Sequence, residues 1–489
     1  MADFQSSPDG ALFELVARGK KDTFFFNDTA PSPFNHGYKP TEPHIAETRL
    51  TVPKTAPAFG RPLEFELETF GDILREVTLK IDLPTWLPPL ALINGQQPSN
   101  PQAANQAFVI KSIEGGGGKG APEYSYGWTN GIGAFLFESI ELLQDKIRIL
   151  ELSGDALFFL QNAESTNSQA FIRQRLIGQH NGSPENIGRN ATPGTLYLRL
   201  PWPAATTNED PGFPLIAATD QSWRIRLKLR PLDALIETEE TSETQIIKAD
   251  PFDKNFYYGD LNGHFINFKS IKRIDLPAPQ IQLLTRQSYV RDPFRKAITE
   301  THLEFPFRRF FPNVMTAGEL DYAPFNTNAA ATVPIMRRLE GLHPTGRLLT
   351  VFRRNQDLRV ARYAQTINTA TTSTDGNFYN QMKLIIAGRD REQLWTPTVW
   401  RDIVSLAHDD RYPGTNQASF NFTVGAPTTK EPSGTINFST ADRPNLYIEL
   451  QNTRPDPQTG QRTTEILAVV ESWDTYVFDN GRGYVKFLN

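Results

Sequence analysis

The side chains of this 489-residue chain that could do chemistry are few and dispersed. Its seven histidines are His36, His44, His180, His264, His302, His343 and His408. They form no i, i+4 pair and no His-x-His, the spacings that bring two imidazoles to one metal. His408-Asp409-Asp410 is the one local cluster of possible ligands. A calcium loop needs alternating oxygens, a central Gly and a closing Glu, so the cluster reads as a solvated loop. The absence of cysteine removes thiolate–zinc sites, disulfides and cysteine nucleophiles together. Gly115-Gly116-Gly117-Gly118-Lys119 is followed by Gly120, Ala121 and Pro122, where a phosphate loop needs Ser or Thr and then a helix. It reads as a flexible surface loop. No Gly-x-Ser-x-Gly elbow occurs. Glu64, Glu66 and Glu68 share one face of a strand and could mimic the carboxylate pair of a glycosidase. Leu63, Phe65 and Leu67 claim the other face for a core, so the three acids read as solvated. No catalytic, cofactor-binding or metal-ligating residue is assigned, no cofactor is expected, and the chain does not read as an enzyme.

Asn27-Asp28-Thr29, Asn181-Gly182-Ser183, Asn190-Ala191-Thr192, Asn421-Phe422-Thr423 and Asn437-Phe438-Ser439 match the N-glycosylation pattern. The pattern acts in a secretory lumen, and the polar, acidic Met1–Gly10 has no signal-peptide core. Asn437 is expected to be structural.

The elements that would position any site are strands. With 37 prolines and 33 glycines, short strands and punctuated turns are favoured over long helices. At 39% hydrophobic and 21% charged the composition is globular, and the length implies two or three domains. No run of about 18 apolar residues exists to span a membrane. The net charge of −5 divides into −9 for residues 1–250 and +4 for 251–489. The second value is too small and scattered to mark a nucleic-acid-binding domain, and no direct nucleic-acid contact is expected.

Trp223-Arg224-Ile225-Arg226-Leu227-Lys228-Leu229 is the most regular strand, apolar on one face and cationic on the other. Leu196–Leu200, Leu63–Glu68 and Asp72–Asp82 alternate similarly. Leu152–Phe171 is the best helix candidate, and Val290–Lys296 reads as a charged turn. Residues 233–250 are acidic, contain no aromatic residue and read as a linker.

Several of these stretches resemble major capsid proteins of nucleocytoplasmic large DNA viruses. Leu15-Val16-Ala17 followed by Gly19 and Asp22 resembles the start of that family. Gly71-Asp72 leading to Asp82-Leu83-Pro84, and Trp128-x-Asn130-x-Ile132-Gly133, resemble its first half. So does the Leu200-Pro201-Trp202 turn with Pro214-Leu215-Ile216-Ala217 before a basic strand. In the second half the matches are the arginine-rich turn between strands at 281–305, His343-Pro344, and Leu384 with Gly388, Asp390 and Arg391. The most specific is Pro432-Ser433-Gly434-x-x-Asn437-Phe438-Ser439. The likeness runs in order over about 470 residues; the chain departs in its loops 88–123 and 367–376 and in having no cysteine.

The resemblance implies an all-β fold of two consecutive eight-stranded jelly rolls with short helices in loops. The expected division is an N-terminal arm and first strand over 1–30, a first roll over 31–232, a linker over 233–253 and a second roll over 254–489. It further implies a homotrimer of pseudo-hexagonal outline that tiles an icosahedral shell around double-stranded DNA. The partners would be further copies, neighbouring capsomers, minor capsid proteins and, indirectly, an inner membrane. The place would be the virion, after assembly in host cytoplasm. The two long loops are expected on the outer tower. The alternatives are a secreted β-sandwich that binds or cleaves polysaccharide, and a minor capsid protein of the same lineage.

Overall fold

The computed structural model describes residues 43–84, 109–112, 123–179, 194–205, 212–240, 256–259, 265–267, 278–324, 332–368, 376–407, 414–424, 432–441, 444–456, 459–479 and 481–487. The N-terminal arm, the glycine run at 115–120, most of the loop at 88–123, His408–Asp410 and residues 369–375 lie outside them.

In chain order the first part supplies β1 (His44–Thr51), β2 (Pro62–Glu66), β3 (Ile73–Asp82), β4 (Val109–Ser112), β5 (Glu123–Trp128), β6 (Phe137–Gln144) and β7 (Ile147–Leu152). Helix α1 (Ile132–Phe135) precedes β6, and α2 (Gly154–Glu164) and α3 (Asn167–Ile177) follow β7. Then come β8 (Thr195–Arg199), β9 (Phe213–Pro214), β10 (Trp223–Leu229), β11 (Ile236–Glu240), β12 (Phe256–Gly259), β13 (Phe265–Asn267) and β14 (Gln280–Val290). After α4 (Asp292–Glu300) follow β15 (Leu303–Ala317), β16 (Val333–Arg338), β17 (Pro344–Arg354), β18 (Tyr379–Ile386), β19 (Arg389–Asp390) and β20 (Gln417–Asn421). The last four are β21 (Ile436–Asn437), β22 (Asn445–Leu450), β23 (Thr464–Asp479) and β24 (Arg482–Val485).

These form two antiparallel sandwiches. In the first, a sheet ordered β1-β14-β3-β8 faces one ordered β2-β10-β6-β7. Val77, Leu79, Ile81, Leu196 and Leu198 from one sheet meet Leu63, Phe65, Leu142, Ile225 and Leu227 from the other in one buried core. In the second, β15-β23-β17-β20 faces β16-β22-β18-β19, with Leu348, Phe352, Ile466 and Ala468 packed on Met382, Leu384, Leu446 and Ile448. A further sheet is ordered β11-β5-β4-β12-β13.

The pairing redraws several expectations. β14, assigned by chain order to the second roll, pairs with β1 and β3 over its full length and so belongs by register to the first. Its ladder with β3 is shifted between Arg286 and Gln287. The shift frees the Gln287 amide to bind the N–H groups of Phe70 and Gly71 and the carbonyl of Glu68. Ile236–Glu240, within the expected linker, is a strand against β5. The single expected helix at 152–171 is two, because Ser165 and Thr166 leave helical geometry and Thr166 starts α3 with a capping box to Gln169. The charged turn at 290–296 is the start of α4, with Pro293 in its first turn.

Candidate functional site: the seam between the sandwiches

The strand carboxylates lie as expected. Leu63, Phe65 and Leu67 are buried, and Glu64 and Glu66 face outward into cross-strand ion pairs. Lys54 reaches Glu66 at 2.6 Å, Arg224 and Arg226 reach Glu64 at 3.3 and 3.5 Å, and Arg226 also reaches Glu141 at 3.4 Å. Glu64 is thus engaged by two arginines at once. Among the described residues no group of three His, Asp or Glu is placed to hold a metal. His44 and His302 lie at the surface and His343 is buried; His36, His180, His264 and His408 lie outside the described residues, as do Asn27, Asn181 and Asn190. Asn421 is buried, and Asn437 Oδ1 accepts the Ser439 N–H at 2.9 Å, a structural use.

His343 explains why two distant motifs occur together. Pro344 and Thr345 pair with Asn437 and Ile436. The Ser439 hydroxyl accepts the His343 N–H at 2.8 Å, and His343 returns its carbonyl to the Phe438 N–H at 3.1 Å. Gly341 makes room for the Phe438 ring, and Gly434, at φ +156°, lies where a side chain would strike the Phe422 carbonyl. The His-Pro and Pro-Ser-Gly…Asn-Phe-Ser stretches are two sides of one closure. Inside it, Arg309 Nη1 lies 3.0 Å from both His343 Nε2 and Asp474 Oδ2. Burial, followed by the Arg309 charge, pulls the imidazole below its ordinary pKa against the opposing pull of Asp474.

An organised polar arrangement that the sequence did not reveal lies between the sandwiches. Strands β17 and β23 of the second sandwich are buried on both faces. Leu348, Phe352, Ile466, Ala468 and Val470 point into the second sandwich; Leu349, Val351, Leu467 and Val469 point into the core of the first. Phe213 of the first sandwich packs edge-on against Tyr476 and Phe478 of β23, with centroids 5.2 and 5.0 Å away. The Tyr476 hydroxyl donates to Gln144 Oε1 at 2.8 Å.

Two guanidinium–carboxylate clusters flank this apolar contact. Glu164, at the end of α2, meets Arg308 of β15 at 2.5 Å and Arg347 of β17 at 3.0 Å. Glu471 of β23 binds the same two arginines at 2.7 and 2.8 Å. Burial opposes both charges. For Glu471 the two arginines outweigh it and lower the carboxyl, and for Arg308 the two acids outweigh it and raise the guanidinium. In the second cluster Asp155 of α2 lies 2.7 Å from Arg230 and 3.0 Å from Arg353, which also pairs with Glu465. Arg230 stacks on Tyr363, 4.4 Å from its centroid. α2 reaches this place because Ser153 caps its start and Gly154 lets it lie against the carbonyls of Ala134 and Phe137, where any Cβ would clash. The sequence signal was arginines and glutamates inside otherwise apolar strands, Arg347 and Arg353 in β17 and Glu465 and Glu471 in β23; their partners are 112 to 198 residues away.

No family model matches the sequence, and no curated protein matches it. Solved structures do match the fold. The chain is similar to PBCV-1 VP54, as fitted into a cryo-EM reconstruction of the virophage Sputnik, at 14% identity over 94% of this chain and 100% of that one, with a TM-score of 0.66. The quasi-atomic model of the PBCV-1 capsid matches at 14% identity, the same coverage and a TM-score of 0.64. The Faustovirus major capsid protein matches at 12% identity over 96% of each chain, with a TM-score of 0.58. The fold of this chain is the double jelly roll of these proteins, all-β with short helices in its connections.

Proposed function

We propose that this chain is the major capsid protein of an icosahedral double-stranded DNA virus, present in the virion as trimeric capsomers of pseudo-hexagonal outline. The observation that carries the reading is the shared core. Strands β17 and β23 pack into both cores, so the two rolls form one block, the form a shell subunit needs to tile rigidly. The likeness to PBCV-1 and Faustovirus capsid proteins along nearly the whole chain supports it. We place the first roll in residues 44–232 with β14, and the second from β15 onward. Neighbouring capsomers and minor capsid proteins are the proposed partners, with any inner membrane contacted through them, and assembly is placed in host cytoplasm.

The test is light scattering on the purified chain, followed by negative-stain imaging. A species of three times 55.1 kDa with hexagonal outline is expected. A monomer at micromolar concentration that stays monomeric on crowding would contradict the reading.

A further inference from the structure

The edges of the four sandwich sheets are closed to further pairing in different ways. β2 begins at Pro62, β16 carries Pro334 and β15 carries Pro306 and Pro312, residues with no N–H to offer a neighbour. β19 has two residues, β20 is buried along its length, β7 runs beside β15, and β8 runs beside α3. Among the described residues β1 has none of these protections. It is eight residues long, free of proline, and paired by the described residues on one edge alone. Both its faces are open: Ile45 on one is 75% exposed and Leu50 on the other 49%. A long exposed edge of this kind is a template for another strand.

We propose that β1 pairs antiparallel with β1 of a second copy, in the register that sets Thr48 opposite itself. In an antiparallel ladder alternate residues direct both N–H and C=O to the same edge. A strand meeting its own copy about a two-fold axis therefore places some residue opposite itself. With Thr48 on the axis, Glu47 faces Arg49 of the copy and Arg49 faces its Glu47. Ala46 then meets Leu50, and Ile45 meets Thr51. Moving the axis to Glu47 or Arg49 sets like charges face to face, which is unfavourable. Within one chain Arg49 Nε already donates to Glu47 at 2.6 Å, and the Tyr289 hydroxyl donates to the same carboxylate at 2.8 Å. Both charges thus stand ready on one face, and pairing closes a square of alternating sign. The inference rests on the shell-subunit reading for its purpose: a two-fold contact cannot close a three-fold ring, so it joins one capsomer to the next.

The chain has no cysteine, so Thr48→Cys introduces a single thiol. In the full chain, mild oxidation is expected to link it into covalent pairs. Leu50→Cys sits four residues, about 14 Å, from its own counterpart in this register, at about 3.4 Å per residue, and is expected to stay unlinked. Glu47→Arg and Arg49→Glu each place like charges across the contact, and each should weaken association of capsomers roughly tenfold in sedimentation velocity. Mixing the two variants should restore it, which no effect within one chain can do. Equal linking at both thiols, or single variants that associate like the parent, would overturn the pairing. The capsomer mass of the same samples reports separately on the trimer, so loss of the trimer reading leaves the cysteine result to decide β1 by itself.

Discussion

Glu164, on a helix of the first sandwich, places Oε1 2.5 Å from Nη1 of Arg308 on the edge strand of the second. With Glu471 and Arg347 the pair forms a four-member cluster, so no charge at this part of the seam is left single. Removing one member should cost far more than removing the set. Glu471→Leu, which leaves two arginines facing one acid in a buried site, is expected to lose about 3–5 kcal/mol in denaturant unfolding. Replacing Arg308 and Arg347 by Met and Glu164 by Gln in the same chain, so that no charge is left alone, should recover most of that loss.

Phe213 is the apolar counterpart, set edge-on to both Tyr476 and Phe478 and to Trp223 at 5.0 Å. Phe213→Ala opens a cavity between the sandwiches and should cost about 3–5 kcal/mol. Limited proteolysis should then cut between the rolls at denaturant concentrations where the parent chain resists.

Acid should loosen the His343 closure. Arginine can only donate, so Nε2 of His343 accepts from Arg309 and is unprotonated in the folded chain. The folded-state pKa is lowered, by burial first and Arg309 after it. The unfolded chain therefore takes up the proton first as pH falls. Stability from this group is present above the ordinary histidine pKa of about 6.5 and is lost as pH falls below it, towards the lower folded value. His343→Gln should flatten the unfolding midpoint against pH in that window.

Ser439→Ala removes the acceptor of the buried His343 N–H and should cost about 1–3 kcal/mol by thermal unfolding. Gly434→Ala should cost at least as much, since its Cβ meets the Phe422 carbonyl at 2.6 Å.

How far the sequence disclosed this fold depended on which faces met water. β10 and β2 alternate cleanly because their outer faces carry a solvated ion ladder, and their register follows from the pattern. β17 and β23 do not alternate, because both of their faces are covered, and their buried arginines and glutamates looked like ordinary strand charges. β14 could be recognised as a strand, but its sheet is set by pairing with β1, more than 230 residues earlier in the chain. α4 does carry an apolar stripe, Phe294, Ala297 and Ile298 at i, i+3 and i+4, but it is short, and Pro293 with the charged Asp292, Arg295, Lys296 and Glu300 gave it the look of a turn.

β23 closes both cores, and it is reached after residue 463. During synthesis the first sandwich thus waits for Tyr476 and Phe478, and the second waits for Ile466, Ala468 and Val470. The first sandwich has all eight of its strands by Val290, yet its face at Phe213 stays uncovered until β23 is made. A nascent chain of more than 400 residues must be kept from aggregating until one 16-residue strand arrives, and a truncation that removes this strand splits a sheet of the second roll and bares the Phe213 face of the first.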